Sequence, residues 1–237
     1  MTKLSVNINK IATLRNSRGG DVPNLLKVAT DLQAYGAQGI TIHPRPDQRH
    51  IRYSDAKELP AVVTTEYNIE GNPIPDFISL VMGIKPTQVT LVPDAEDAIT
   101  SNAGWDTLTH ATFLQEVIHA FKEEGIRTSI FVDPDEKMIE GALATGTDRI
   151  ELYTEGYAKQ FPHDRQSAIA PYQRAAKLAN DLNIGINAGH DLSLENITYF
   201  KQEIPHLLEV SIGHALISES LYLGFETVIQ RYLRALQ

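Results

Sequence analysis

Cysteine is missing from all 237 residues. Disulfides, thiolate nucleophiles and thiolate metal ligands are therefore excluded. Long apolar runs are missing as well. No stretch approaches the roughly 18 apolar residues that a membrane-spanning helix needs. The opening MTKLSVNINK has none of the apolar character of a secretory signal. The expectation is a cytoplasmic protein with no membrane partner. Positive charge is scarce: 21 Lys and Arg stand against 30 Asp and Glu, a formal charge of −9. Such a balance argues against nucleic acid as a partner but leaves room for a local anion site.

What is present has an ordinary globular composition, with 42% hydrophobic residues, enough for a core that needs no covalent staple. Apolar strand patterns alternate with helical ones along the chain. Strands are expected at Leu4 to Asn7, Gly39 to Ile42, within Val62 to Ile69, Gln88 to Val92, Thr128 to Val132, Arg149 to Tyr153, Ile184 to Asn187 and Leu208 to Ile212. Helices are expected at Pro23 to Tyr35, Ser54 to Leu59, Pro75 to Met82, Leu108 to Glu124, Asp135 to Ala144 and Ala170 to Leu182. Two more should run from a Ser193 cap to about Gln202 and from Ala215 to Leu236, the last broken near Gly224. The connections Asn9 to Asp21 and Pro93 to Asp106 are long enough for insertions or extra helices. Eight strands, each followed by a helix, favour a single (β/α)8 TIM barrel over residues 1–237. An open doubly wound sheet is disfavoured because no glycine-rich dinucleotide fingerprint follows the first strand.

In a barrel of this kind the chemistry sits where the strands end. The first strand ends in Asn7 and Asn9, with Arg15 and Arg18 beyond. The second runs into His43-Pro44-Arg45, a basic segment that continues to His50. The third ends in Asn68 and Glu70, and the fourth leads to a loop with Thr100. The fifth ends in Asp133, the sixth in Glu151 and Tyr153, the seventh in Asn187 to His190 and the eighth in Gly213-His214. Arg18, Arg45 and the Gly213-His214 turn suit phosphate binding. His43, His190 and Glu70 suit proton transfer. His43, His190, His214 and a carboxylate would serve a metal less well, since no His-Glu-x-x-His motif accompanies them, and no metal is expected. A Schiff-base lysine lacks support: Lys10 and Lys85 lie near strands, but no apolar strand presents a central Lys. His110, His119, His163 and His206 lie on expected helices or connecting loops and receive no role.

The segments VNINKIATLRNSRGG, GITIHPRPDQRHI, TEYNIEG, LVPDAEDAIT, INAGHDL and SIGHALI follow one another along almost the whole chain. Together they resemble the pyridoxine 5'-phosphate synthase family of vitamin B6 biosynthesis. The resemblance implies a TIM barrel with additional helices, assembled as a homo-octamer. It implies condensation of 3-amino-2-oxopropyl phosphate with 1-deoxy-D-xylulose 5-phosphate to pyridoxine 5'-phosphate, phosphate and water, with no cofactor. Matched residue by residue, His43, Glu70 and His190 fall on acid–base positions. Asn7, Arg18, Asp191, Gly213 and His214 fall where the amino-ketone phosphate binds. Arg45, His50 and Thr100 fall where the deoxyxylulose phosphate binds. Asn9-Lys10 stands where many relatives carry Asp-His, a pair that helps hold the deoxyxylulose phosphate; Lys10 offers its charge there. Asp191 stands where many relatives carry Gly. Its carboxylate is expected to turn away from phosphate, toward the helix cap near Ser193. Two rival readings are a sugar-phosphate epimerase or isomerase and a non-catalytic phosphate-ligand sensor.

Overall fold

The computed structural model describes residues 1–94 and 101–237. Eight parallel strands close in sequence order into a barrel, β8 pairing with β1. They are β1 (Lys3–Asn7), β2 (Gly39–Ile42), β3 (Glu66–Gly71), β4 (Gln88–Leu91), β5 (Arg127–Val132), β6 (Arg149–Tyr153), β7 (Gly185–Gly189) and β8 (Leu207–Ile212). The helices are α1 (Asn9–Asn16), α2 (Leu25–Ala34), α3 (Tyr53–Glu58), α4 (Pro75–Ile84), α5 (Ala111–Glu123), α6 (Glu136–Thr145), α7 (Glu155–Gln160), α8 (Arg165–Asp181), α9 (Ile197–Glu203), α10 (His214–Leu223) and α11 (Phe225–Ala235). One helix per strand accounts for eight of them; α1, α7 and α10 are additional.

Local chemistry explains most boundaries. Asp135 Oδ1 accepts from the backbone N–H groups of Lys137 and Met138 to open α6, and Gly146 closes that helix at φ 75°. Gly224, at φ 79°, separates α10 from α11 as its sequence position suggested. Three elements differ from expectation. The helix expected from Ala170 starts at Arg165, because Asp164 caps it and Pro171 is accommodated inside. The Ser193 cap is formed, its Oγ accepting from Glu195 N at 3.3 Å, but a full helix does not follow at once. Residues 193–196 make a turn in which Asn196 Oδ1 accepts from Ser193 N, and α9 begins only at Ile197. The third strand, expected within Val62 to Ile69, runs on to Gly71, so Glu70 lies within it rather than beyond its end.

The strands are not uniformly apolar. Their outward residues, such as Leu4, Val6, Ile40, Ile69, Ile130 and Ile186, pack against the helices in the main core. The inward residues are mostly polar. Ser5 and Thr41 share a 2.7 Å hydroxyl contact, and Asn68 Nδ2 donates to Thr41 Oγ1 at 3.3 Å. Thr90 Oγ1 and Gln88 Nε2 both donate to Asn68 Oδ1. Lower in the barrel, Glu66 is paired with both Lys3 and Arg127. A barrel filled this way must satisfy its buried polar groups with one another, and it leads polar side chains up to the mouth.

Candidate active site

At the C-terminal mouth five strands turn polar groups inward: Asn7 on β1, His43 just past β2, Glu70 on β3, His190 just past β7 and Ser211 on β8. Ser211 Oγ donates to Glu70 Oε1 and Asn7 Nδ2 donates to Glu70 Oε2, both at 3.3 Å. Part of the Glu70 side chain faces the open mouth, yet the surrounding protein desolvates it. Burial pushes its carboxyl up to about 7. The charge of His190 pulls the other way and loses.

The two histidines are driven apart. His43 is pushed well below the ordinary range by burial, then by the charges of Arg45, His50 and His190, so its imidazole is neutral at pH 7. Its Nε2 lies 3.7 Å from Asp94 Oδ2, too far for a hydrogen bond and, with the ring neutral, no ion pair. For His190 burial also works against the charge, but the Asp191 carboxylate outweighs it, and the pKa is raised. The contact is 2.5 Å between His190 Nδ1 and Asp191 Oδ2. Asp191 therefore turns onto its neighbour and not toward the cap near Ser193, while its backbone N–H donates to Thr154 Oγ1 at 3.1 Å. His190 adopts φ 93°, a left-handed backbone that costs roughly 1–3 kcal/mol and persists where surrounding bonds enforce it.

Arg45 is buried and donates from Nη2 to Asp94 Oδ2. Ser101 Oγ donates to the same oxygen at 2.8 Å, and Asn72 Nδ2 donates to Asp94 O. His50 is pushed down to about 4 by burial, then by the charges of Arg45 and Lys10, so Lys10 is felt in this corner although its side chain is exposed. His50 Nδ1 accepts from Ile51 N at 2.9 Å. Asn9 serves as scaffold, because its Oδ1 accepts from His43 N at 2.9 Å and its own N–H donates to Asn7 Oδ1. Arg15 and Arg18, three residues apart in the chain, part company. Arg18 is exposed in the turn after α1. Arg15 is buried in a two-pronged pair with Asp55, at 2.6 and 2.8 Å, and its Nη2 donates to His50 O. Asn16 Nδ2 donates to the same carbonyl at 2.8 Å and to Arg49 O at 3.3 Å. Helix α1 thus grips the backbone that carries His50.

Gly213 caps α10 without a side chain. A Cβ there would sit 3.2 Å from the Asn7 Cβ, so glycine lets the end of β8 lie against β1. His214 opens the helix and is exposed; the free N–H groups of a helix start are anion donors. Thr100 lies outside the described residues. Among the described residues no three His, Asp or Glu side chains are grouped to share a metal ion.

Glu151 received no role from the sequence. It is 3% exposed, and burial, then the nearby Glu70 and Glu209 carboxylates, raise its pKa well above the ordinary value. A Cβ on Gly189 would lie 2.1 Å from its Oε1; that glycine makes its room. The available signal was a lone acid between Ile150 and Leu152, a place where a charge is costly.

A family model, pyridoxal phosphate biosynthesis protein PdxJ, matches residues 4–237. The chain belongs to this family. Curated relatives agree over full length: pyridoxine 5'-phosphate synthase of Flavobacterium johnsoniae is 68% identical over 237 residues, and that of Christiangramia forsetii 66%, each covering 100% of both chains. The PdxJ family chain also shares its barrel with remote structures. Phosphoribosylanthranilate isomerase from Thermotoga maritima superposes at TM-score 0.62 with 16% identity, covering 100% of this chain and 98% of its own. Tryptophan synthase from M. tuberculosis superposes at 0.65 with 12% identity, covering 99% and 92%. At such identities the likeness concerns the fold alone.

Proposed function

We propose that the barrel mouth makes pyridoxine 5'-phosphate from 3-amino-2-oxopropyl phosphate and 1-deoxy-D-xylulose 5-phosphate, with His190 as proton donor and Glu70 and His43 as proton acceptors. One observation carries this reading. Three proton carriers share one ring of strand ends, and their surroundings push His190 up, His43 well down and Glu70 up to about 7. Ring closure needs all three conditions. The amine of one substrate attacks the ketone of the other, and water leaves as the Schiff base forms, which an acid assists. Protons then leave carbon as phosphate is expelled, and the last dehydration closes the ring. Each positioned acid or base contributes roughly 10²–10⁴-fold. Holding both substrates adds an entropic advantage.

Binding follows the charges. Arg45, His50, Lys10, Asn9 and Thr100 form the deoxyxylulose phosphate side. Arg45 must share its guanidinium between Asp94 and the phosphate, and neutral His50 serves as a hydrogen-bond partner, not as a charge. Asn7, Arg18, Gly213 and His214 form the amino-ketone phosphate side, where the start of α10 supplies N–H donors. Asp191 serves this side by holding His190. Glu151, its pKa raised by burial and by the Glu70 charge, stands as a proton reserve. The reading includes a cytoplasmic homo-octamer. In its support, Leu14 on α1 and Leu221 and Tyr222 on α10, both additional helices, are exposed apolar side chains of the kind that subunit contacts cover.

One assay separates this reading from its rivals. Purified protein is mixed with both substrates, then with each alone, and product absorbance and phosphate release are followed. Both signals should require both substrates. Turnover of a single substrate would indicate an isomerase, and binding without consumption a sensor.

A further inference from the structure

We propose that Val92, Phe131 and Tyr153 form an apolar wall that receives the methyl end of the deoxyketose and discriminates against the 1-hydroxy ketose phosphate. These three side chains form a hydrophobic cluster of their own, separate from the core between strands and helices. They occupy adjacent strand ends on the inward side. Val92 follows Thr90, which bonds to Asn68 inside the barrel, and its N–H donates to Gly71 O beside the end of the Glu70 strand. Phe131 lies opposite Glu151 in the β5–β6 register, and Tyr153 stands two residues beyond Glu151 on the same face. The Phe131 and Tyr153 rings are 5.1 Å apart, and the Tyr153 ring meets His190 edge-on at 5.3 Å. The wall therefore touches the proton donor.

The mouth is divided. Strands β7, β8, β1, β2 and β3 end in polar groups, while β4, β5 and β6 end in this apolar arc. Elsewhere the barrel interior accepts polar side chains readily, so three apolar ones together mark a surface with a different partner. The deoxyketose has such a part. Its ketone carbon, which the amine attacks, bears a methyl group, and that methyl must lie beside the reacting centre. A hydroxymethyl group there would bury an unpaired hydroxyl against Val92 and Phe131, and apolar pockets of this kind discriminate by roughly 10²-fold. The simpler alternative is a packing plug under the segment that folds over this side, where Trp105 N donates to Phe131 O at 2.9 Å and Gly104 N to Asp133 Oδ2 at 3.0 Å.

The inference rests on the proposed function, and the experiment separates the two. kcat/KM is measured with 1-deoxy-D-xylulose 5-phosphate and with D-xylulose 5-phosphate, at saturating amino-ketone, for the wild type, Val92→Thr and Phe131→Leu. The wild type should prefer the deoxy substrate about 10²-fold. Val92→Thr keeps the shape and adds a hydroxyl, and should reduce the preference about tenfold through KM for the ketose, with KM for the amino-ketone unchanged. A packing plug would instead lower stability and leave the preference intact. A wild-type preference of only a few-fold, or a preference unchanged in whichever variants give a native circular dichroism spectrum, overturns the wall. Absence of any turnover with the deoxy substrate overturns the proposed function itself.

Discussion

Glu70 is the residue on which the proposed chemistry turns. Burial and nearby cations oppose each other at this carboxyl, and burial prevails, to about 7. Glu70→Gln keeps the shape and the bonds from Ser211 and Asn7 but cannot carry a proton. Turnover should fall at least about 10²-fold while both substrates still bind, which single-turnover rates with both substrates saturating will measure. If Glu70 only orients its neighbours, the amide will retain most of the rate. Asp191 makes a complementary case. Its carboxylate raises the His190 pKa, and a proton donor must be charged to act. In Asp191→Asn the alkaline limb of the kcat/KM profile should therefore move to lower pH. A profile identical to wild type would detach Asp191 from the donor.

At the scale of the element, α1 matters more than the loop it replaces in the simplest barrel. Arg15 and Asn16 reach the backbone carbonyls at Arg49 and His50, and Arg52 Nη2 returns a bond to Asn16 Oδ1 at 3.0 Å. The basic segment after β2 is thereby held as a shaped surface. Asn16→Ala removes the donor to Arg49 O and the nearer of the two donors to His50 O, leaving Arg15 alone on the latter. KM for 1-deoxy-D-xylulose 5-phosphate should rise about tenfold, corresponding to ~1.4 kcal/mol. KM for the amino-ketone should stay within about twofold, since the site proposed for that phosphate lies across the mouth. Steady-state kinetics with each substrate varied in turn will show the split; equal rises in both would mean that α1 supports the barrel generally. Arg15→Ala should be harsher, because it strands Asp55 as an unpaired buried charge, at about 3–5 kcal/mol.

Across the whole molecule, the polar barrel interior makes stability depend on pH. Glu209 is buried near Arg149, and its Oε2 has no hydrogen-bond partner among the described residues. Burial, then the Glu66 carboxylate, pushes it up to about 7. A carboxyl raised on folding adds stability fully present below about 4.5, which is lost as pH rises through about 7. Glu70 and Glu151 act in the same sense. His50, lowered to about 4, acts oppositely: it costs stability as pH falls from about 6.5 toward 4. Glu209→Gln is neutral at every pH, so its Tm should fall less than that of the wild type between pH 5 and pH 8. Thermal unfolding at the two pH values will check this, and parallel falls would place the titration elsewhere.

The order of strands and helices was legible because each outward strand face is a run of β-branched or leucine side chains and each helix repeats its apolar stripe, both local patterns. Asp135, Gly146 and Gly224 marked their turns for the same reason. The candidate site residues at the strand ends, His43, Glu70 and His190, could be named because strand ends converge in a closed barrel whatever the details. What the neighbours of each group do to its charge was decided only by packing. Nothing local says that Arg15 pairs with Asp55 across 40 residues, or that Asn9 holds the backbone of His43. The raised pKa of Glu151 and the apolar arc of Val92, Phe131 and Tyr153 arise the same way, from strands distant in sequence brought side by side. Pattern along a chain determines which face of a strand is buried; charge, protonation and selectivity depend on distances across space, and those exist only once the barrel has closed.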